Sequence, residues 1–537
     1  MEIHKLLVAN RGEIAARIFA TCDRLGVETV AVSSLDDRGA LHTRRARETL
    51  EISSYLDPAE HLRAANESGA DAIHPGYGFL AENADFAAAV EAAGVTWVGP
   101  PPTVLRSAGD KLEAKRLAAE AGVPVVPDGS ADVIGFPLIV KAAAGGGGRG
   151  MRVVNSREEL DEALAAAERE AEAAFGDGTV FCERYVERPR HVEVQLLADS
   201  HGTVIHLGER ECSIQRRHQK ILEESPSTAL DDELREAMGE AAIAFARAAG
   251  YVGAGTAEFM LEDGNFWFLE LNARIQVEHP VTELVTGLDL VEQQLRIASG
   301  DKLDFASREP EGHAVEVRLY AEDPRTFLPQ AGRIYKLRLP EEIRVDAGVE
   351  AGDEVPVAYD PLIAKLIAAG ETRAEAFNRL AAALRETEVG GLTTNLPFLR
   401  WLVAHPEVRA GRTTTRFLDD YPPLSRAPRV SPPWTGSWRL NGRRGKPRPL
   451  LTVEQTAHPA STNGHGQSSI RAPMPGIVLR VLAVEGDRVE ARQPLILLEA
   501  MKMETPLVSP FEAVVRKVHV SEGDRVAGGA VLVELEE

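Results

Sequence analysis

The chain has 537 residues, enough for about three or four ordinary domains, and its 44% hydrophobic and 26% charged content is a normal globular balance. A formal net charge of −22 argues against nucleic acid or an anionic membrane as a partner, since either needs a basic face. Three cysteines with no C-x-x-C spacing give neither a disulfide framework nor a zinc site and suggest a reducing compartment. No apolar run is long enough to span a bilayer, and M-E-I-H-K-L-L-V-A-N enters a strand without a signal-peptide core, so the expected location is cytoplasmic.

In chain order, an apolar strand is predicted over Lys5 to Ala9, a helix from Ile14 to Leu25 and a second strand from Glu28 to Ser33. This is the β-α-β opening of an α/β domain without a G-x-G-x-x-G fingerprint, so it implies no dinucleotide. Ala72 to Leu80 reads as a strand end running into a glycine-rich turn, and Glu82 and Asn83 lead into a helix through Ala93. The first domain is placed at 1–112.

Residues 113–320 form the next region, with a lid at about 130–200. Its expected parts are a strand at Phe136 to Lys141, a glycine-rich loop at Ala142 to Gly150 and a return strand at Met151 to Val154. A helix from Glu158 to Ala174 and strands at Val180 to Val186 and Val192 to Leu197 complete it. A mixed domain is placed at 321–445 and a Pro-, Ser- and Gly-rich linker at 446–469. The last domain, 470–537, repeats itself: E-G-D-R-V-E-A-R-Q-P-L-I-L-L-E from Glu485 and E-G-D-R-V-A-G-G-A-V-L-V-E-L-E from Glu522 share a turn signal, a strand start and an apolar strand.

Three motifs carry chemistry. Gly145 to Gly150, G-G-G-G-R-G, lets consecutive backbone N–H groups converge on an anion, with Lys141 at the end of the strand before it; alone it could be a flexible hairpin loop. Glu258 and Glu270 lie on two strands joined by the turn signal Glu262-Asp263-Gly264-Asn265, and Asn272 faces the same way as Glu270. Two carboxylates and an amide oxygen make a hard site suited to Mg²⁺ (or Mn²⁺) that also needs substrate phosphates. Just beyond, Arg274 and Glu278 offer a planar cationic clamp and a base, as a small oxyanion requires. Their spacing also fits a surface ion pair on a helix, but the stretch does not look helical. Finally, Lys502 in E-A-M-K-M-E falls between the two repeat halves, at an expected hairpin tip.

These stretches resemble biotin carboxylase of the ATP-grasp type across residues 1 to about 445. The match rests on Ala9 to Ala15, His74 to Leu80, the glycine loop, Gln215 to Lys220 and Asn272 to Pro280. The A-M-K-M run resembles the biotinyl domain of biotin-dependent carboxylases, whose hammerhead fold is shared with lipoyl domains; the two methionines point to biotin. The expected fold class is therefore α/β and α+β multidomain, followed by an all-β hammerhead. By the resemblance, Lys502 carries biotin in amide linkage, and Lys111, Lys141, Gly147 and Gly148 meet the phosphates of ATP. Glu183, Arg184, Tyr185 and Val186 form the adenine hinge, and His191, Gln215 and His218 line the nucleotide. Glu258, Glu270 and Asn272 hold the metal. Lys220, Arg274, Gln276 and Val277 bind bicarbonate, Glu278 is the base, and Arg318 stabilises the biotin oxygen.

The implied chemistry is attack of bicarbonate on the γ-phosphate of MgATP to give carboxyphosphate, then carboxylation of biotin in a closed site. No carboxyltransferase domain is expected, so a separate carboxyltransferase (beta) subunit is implied. A biotin protein ligase and a homo-oligomer within a larger assembly are also expected. The acceptor stays open between an acyl-CoA and pyruvate, and a carrier with a non-catalytic scaffold is the reading from another class. The segment Pro127 to Phe136 is short for this family, leaving only Asp128 to Ile134 where relatives carry a helix. Cys212 is expected to be a buried small residue rather than a catalytic one.

Overall fold

Short apolar runs alternating with amphipathic helices pair in parallel at the start of the chain. The strands lie in the order Glu48–Glu51, Glu28–Ser33, Lys5–Val8, Ala72–His74 and Thr96–Trp97. The first helix starts at Gly12, two residues before the predicted Ile14, and ends at Leu25, where Gly26 takes the left-handed φ of 74° that closes it. Asn83 caps the helix Ala84–Ala92 by accepting from the Phe86 N–H at 2.8 Å.

The computed structural model describes residues 2–143, 151–175, 177–216, 219–308, 310–424, 468–472, 476–500, 503–526 and 529–536. Gly147, Gly148, His218 and Lys502 lie outside these, as does 446–467 of the expected linker. The chain divides into two units, 1–424 and 425–537. Among the described residues no helix is long and apolar enough to cross a membrane.

Within the first unit, a three-stranded sheet holds Arg152–Val154, Leu138–Ala142 and Val180–Arg184 in that order, with the helix Arg157–Phe175 against it. The short segment before it folds as one turn, Ala131–Ile134, and buries Ala131 with Leu138, Val140 and Leu160. The strand expected as the last of the lid does not belong to it. It runs Arg190–Ala198 and pairs with Val204–Arg216 and Gly253–Glu262 instead. Burial along almost its whole length suits a central strand rather than the edge of a small sheet.

An eight-stranded sheet dominates the unit. Its order is Asn265–Asn272, Gly253–Glu262, Arg190–Ala198, Val204–Arg216, Gln219–Ser225, His313–Tyr320, Leu362–Gly370, Arg344–Ala347, with antiparallel neighbours. It runs straight through the boundary expected at 320/321. The turn between the first two of these strands holds Asp263 at φ 50° and Gly264 at φ 75°, the paired left-handed conformation of a tight hairpin. That turn sets the pairing from Glu262 opposite Asn265 to Phe259 opposite Phe268, and a register shift between Glu258 and Phe259 then places Glu258 opposite Glu270 and Thr256 opposite Asn272.

In the second unit the sequence repeat becomes a structural one. Two four-stranded sheets form, Ser468–Arg471, Val531–Glu536, Ala513–Val518, Arg488–Val489 and Met503–Val508, Pro494–Ala500, Gly476–Val481, Arg525–Val526. The short strand after each E-G-D turn crosses into the sheet built mainly by the other half: Arg488 pairs with Val514, and Arg525 with Ile477. The turns are tied reciprocally. Gly486 N–H donates to Val515 O at 2.8 Å and Gly523 N–H to Val478 O at 2.7 Å. Ala500 pairs with Met503, so the residues between them, including Lys502, connect two paired strands.

Candidate active site

Residues directly opposite one another on adjacent strands share a face. Four such positions, Glu270, Glu258, Glu193 and Arg210, line up across the first four strands of the large sheet. Glu193 is fully buried and receives Arg210 Nε at 2.5 Å, while Lys220 reaches it from the strand beyond Arg210's. Lys220 Nζ also donates to Glu258 Oε1 and Glu278 Oε1, each at 2.7 Å. Burial would push its ammonium down, but the three carboxylates outweigh that and hold it well above the usual lysine range.

Glu258 is the second hub. It lies 3.0 Å from His191 Nε2 and accepts from Asn272 Nδ2 at 2.8 Å and Gln276 Nε2 at 3.3 Å. Burial works against its charge; Lys220 and His191 overcome it and keep the carboxyl ionised. His191 answers in kind: burial pulls its imidazole down, the Glu258 carboxylate pushes it up, and the balance lies at about 9. Glu270 behaves differently. Burial and the Glu258 charge beside it raise its pKa, with Lys111 only partly opposing them.

A buried and a half-buried carboxylate, Glu258 and Glu270, repelling one another across a ladder fit a hard divalent cation between them. The third expected ligand, Asn272, turns its amide N–H₂ toward Glu258 and gives its oxygen to Arg274 Nη2 at 2.8 Å. It would have to rotate its amide to offer that oxygen to a metal. A nearby cluster of His191, Glu193 and Glu258 is metal-like in spacing, but Lys220 and Arg210 already balance its charge.

The 274–278 segment is not helical; a helix begins only at His279, with Glu278 at its cap position. The alternative of a surface ion pair between Arg274 and Glu278 is not what forms. Arg274 donates instead to Glu82 at 3.0 Å, Gln276 at 2.9 Å and Asn272 at 2.8 Å. Glu278 is buried between two cations, Lys220 at 2.7 Å and Arg318 at 3.0 Å. Burial opposes its charge, and Lys220 and Arg318 lower its pKa all the same. Arg318 in turn donates through Nε to Glu223 at 2.6 Å. Val277 enters through its backbone: its carbonyl accepts from Lys365 Nζ at 2.9 Å.

The small sheet supplies the other lysines. Glu183 accepts from Lys141 within that sheet and from Lys115 Nζ at 2.5 Å. Lys111, at the start of the helix Lys111–Glu120, has its pKa lowered by burial beside Glu270, Lys141 and Glu183. Beyond Glu183 the backbone is pinned, with Arg184 N–H donating to Pro127 O at 2.9 Å and Tyr185 N–H to Pro137 O at 3.2 Å. Val186 follows, buried, and the Arg184 guanidinium lies 5.7 Å from the Trp267 ring centre. Gln215 faces Lys220 in the ladder and donates to Cys212 O at 3.0 Å. Cys212 itself is buried, and burial raises its thiol far above the range where a thiolate forms.

Sequence reasoning missed Glu193, Arg210, Glu82 and Lys365. A signal existed for the first: His191, Glu193 and Gln195 alternate along one face of an otherwise apolar strand. Nothing comparable marks Glu82, which acts across a span of 192 residues on Arg274.

Comparison with known proteins agrees along the chain. Residues 2–105 match the biotin carboxylase N-terminal domain, 110–306 the ATP-binding domain of the carbamoyl-phosphate synthase L chain, 316–420 the biotin carboxylase C-terminal domain, and 468–535 the biotin-requiring enzyme family. Biotin carboxylase of Halalkalibacterium halodurans is 47% identical over 440 residues, 78% of this chain and 97% of the relative. The alpha subunit of Arabidopsis thaliana methylcrotonoyl-CoA carboxylase is 46% identical over 445 residues, 78% of this chain. The match spans only 61% of that relative's length. Propionyl-CoA carboxylase alpha chain of Ruegeria pomeroyi is 36% identical over 679 residues, 99% of this chain and 100% of the relative. Among solved structures, the biotin carboxylase domain dimer of Hydrogenobacter thermophilus 2-oxoglutarate carboxylase, with MgADP, ADP and bicarbonate, gives a TM-score of 0.76 at 42% identity over 79% of this chain and 98% of that one. The chain belongs to the biotin carboxylase family, and its segment 468–535 to the biotin-requiring enzymes.

Proposed function

We propose that this chain carboxylates biotin carried on its own Lys502, at the expense of MgATP and bicarbonate, as the biotin-carboxylating subunit of an acyl-CoA carboxylase. The observation that carries the reading is Glu278, an ionised carboxylate held between Lys220 and Arg318 beside the repelling pair Glu258 and Glu270. The carrier repeat in the same chain supplies the acceptor end, and the relatives named as alpha subunits support the acyl-CoA class.

In this reading Glu258 and Glu270, with Asn272 after rotation, hold Mg²⁺, which would neutralise their charge and that of the phosphates. Lys111, Lys141 and the glycine loop, including Gly147 and Gly148, cradle the phosphates of ATP, while 183–186 with His191, Gln215 and His218 surround the nucleoside. Arg274 and Gln276, with the Val277 backbone, orient bicarbonate. Glu278 takes the proton of bicarbonate as its oxygen bonds to the γ-phosphorus and the bond to ADP breaks. Lys220 and Arg318 make Glu278 a weak base while both hold it. Anionic substrates competing for those two cations would free its lone pairs as the substrates arrive. Carboxyphosphate then splits to CO₂ and phosphate in a site that must exclude water. Biotin, when bound, supplies the ureido nitrogen that accepts the CO₂, with Arg318 holding its oxygen and phosphate removing its proton.

A biotin protein ligase would load Lys502 and a separate carboxyltransferase subunit would pass the carboxyl group on, within a homo-oligomeric, cytoplasmic assembly. Pyruvate is the second acceptor to consider, because a pyruvate carboxylase subunit of Methanothermobacter thermautotrophicus is 48% identical over 440 residues. The test is labelled-bicarbonate fixation by the complex captured on streptavidin, with MgATP and a panel of acyl-CoAs plus pyruvate. Acid-stable label on an acyl-CoA supports the reading, and label on pyruvate replaces the acceptor. No label from a biotinylated complex that retains its partners would overturn the reading.

A further inference from the structure

Leu362–Gly370 is an apolar strand, L-I-A-K-L-I-A-A-G, whose one charged side chain, Lys365, is fully buried. Such a residue is costly to desolvate, and an apolar replacement is often no less stable, so stability alone does not account for it. Its Nζ lies 3.2 Å from Glu13 and 3.5 Å from Asp346, and its hydrogen bond at 2.9 Å goes to the Val277 carbonyl. Burial would discharge this ammonium; Glu13 and Asp346 outweigh burial and keep it charged.

The register shows what that bond holds. Lys365 stands directly opposite Arg318 on the adjacent strand, and Arg318 Nη2 grips Glu278 Oε2 at 3.0 Å. One peptide unit, Val277–Glu278, is therefore held by its carbonyl from one strand and by its side chain from the next. The other carboxylate near Lys365, Glu13, sits on the first helix and accepts from the Tyr77 hydroxyl, while the Tyr77 carbonyl accepts from Asn10 at 2.8 Å. Lys365 thus joins the 274–278 segment to the glycine-rich turn after His74 and to the strand Arg344–Ala347.

We propose that Lys365 is a positioning residue for bicarbonate: by holding the Val277 carbonyl it sets the peptide plane that carries Glu278, and so keeps that carboxylate between Lys220 and Arg318. The role rests on reading 274–278 as the bicarbonate segment. A plane free to rotate at Val277 would move Glu278 and the Val277 backbone together, harming bicarbonate before ATP.

The experiment compares Lys365→Met, Lys365→Arg and Asp346→Asn in the full chain. It measures bicarbonate-dependent ATP cleavage with free biotin as acceptor, together with the melting temperature. Lys365→Met should raise the KM for bicarbonate about tenfold and lower kcat by a similar factor, with the KM for ATP within about twofold of wild type. Lys365→Arg, which keeps the charge, should fold as wild type does and still raise the bicarbonate KM. Asp346→Asn should lower the melting temperature and leave that KM in place, because the carbonyl bond survives. An unchanged bicarbonate KM in folded Lys365→Arg, or equal losses for bicarbonate and ATP, would overturn the inference. A wild-type chain without bicarbonate-dependent ATP cleavage would instead overturn the function proposed above.

Discussion

The two units of this chain are stabilised in opposite ways. The first buries ionised side chains in quantity: Glu193, Arg210, Glu278, Arg318 and Lys365 are all almost fully inaccessible. In the second, Ser509 is the one buried polar residue among those described, and the interior is Val478, Val489, Ile496, Leu498, Val515, Leu532 and similar side chains. A carrier needs only a stable body with an exposed attachment point, and hydrocarbon burial provides that. A site that must meet anions and a metal needs charges fixed in advance, and it accepts the desolvation cost of holding them.

That contrast can be broken or sharpened, and the largest effects belong to the chemistry. Lys502→Arg should abolish biotin attachment, seen as the missing mass on the C-terminal peptide, and reduce carboxyl transfer to background. ATP cleavage with free biotin should persist in that variant, because the catalytic unit is untouched. Arg274→Ala should lower kcat for biotin carboxylation about 10²–10³-fold, with biotinylation of Lys502 unchanged. Biotin-carboxylation activity close to wild type in that variant would leave the catalytic unit without its expected anion clamp.

Stability effects come next. Glu193→Gln leaves Arg210 and Lys220 short of a buried carboxylate and should destabilise the first unit by about 3–5 kcal/mol. Calorimetry should show that loss with the carrier transition in place. A shift in both transitions would mean that the units melt together.

Acid should separate the units in the same sense. Burial lowers both His42 and His74 to about 4, below the ordinary histidine value of 6.5. Between those values the unfolded chain binds protons that the folded unit does not. Their contribution is complete above pH 6.5 and is lost as pH falls toward 4, on the order of 3 kcal/mol for each histidine. Among the described residues the carrier has no buried histidine, so it should lose less over that window. Melting temperatures from pH 7 to pH 4 check it.

The smallest effect tests the repeat. Gly486 and Gly523 sit at φ 94° and 90° with open space around them, so an added methyl meets only backbone strain. Gly486→Ala and Gly523→Ala should each cost the carrier about 1 kcal/mol, and by similar amounts. Unequal costs would mean that the two turns are not equivalent.

What the sequence alone determined is what local signals can carry. The Asp263-Gly264 turn dictates the hairpin, so the approach of Glu258 to Glu270 was legible in the residues themselves, while the register shift beside Glu258 that sets them directly opposite was not. The E-G-D repeat likewise announced two matching halves around Lys502, and runs of matched residues identified the family. Contacts between distant strands were decided only by the tertiary fold. Val192 to Leu197 looks like any apolar strand, and only its neighbours place it in the large sheet rather than the lid. Glu193 becomes a hub because Arg210 and Lys220 arrive from other strands, and Glu82 meets Arg274 from a different part of the chain. Lys365 is the clearest case: in sequence it is one lysine in an apolar strand, with nothing to say that it faces inward. The pleat alternates sides every residue, but which side is buried depends on what packs there, and for Lys365 that is Glu13, Asp346 and the carbonyl of Val277.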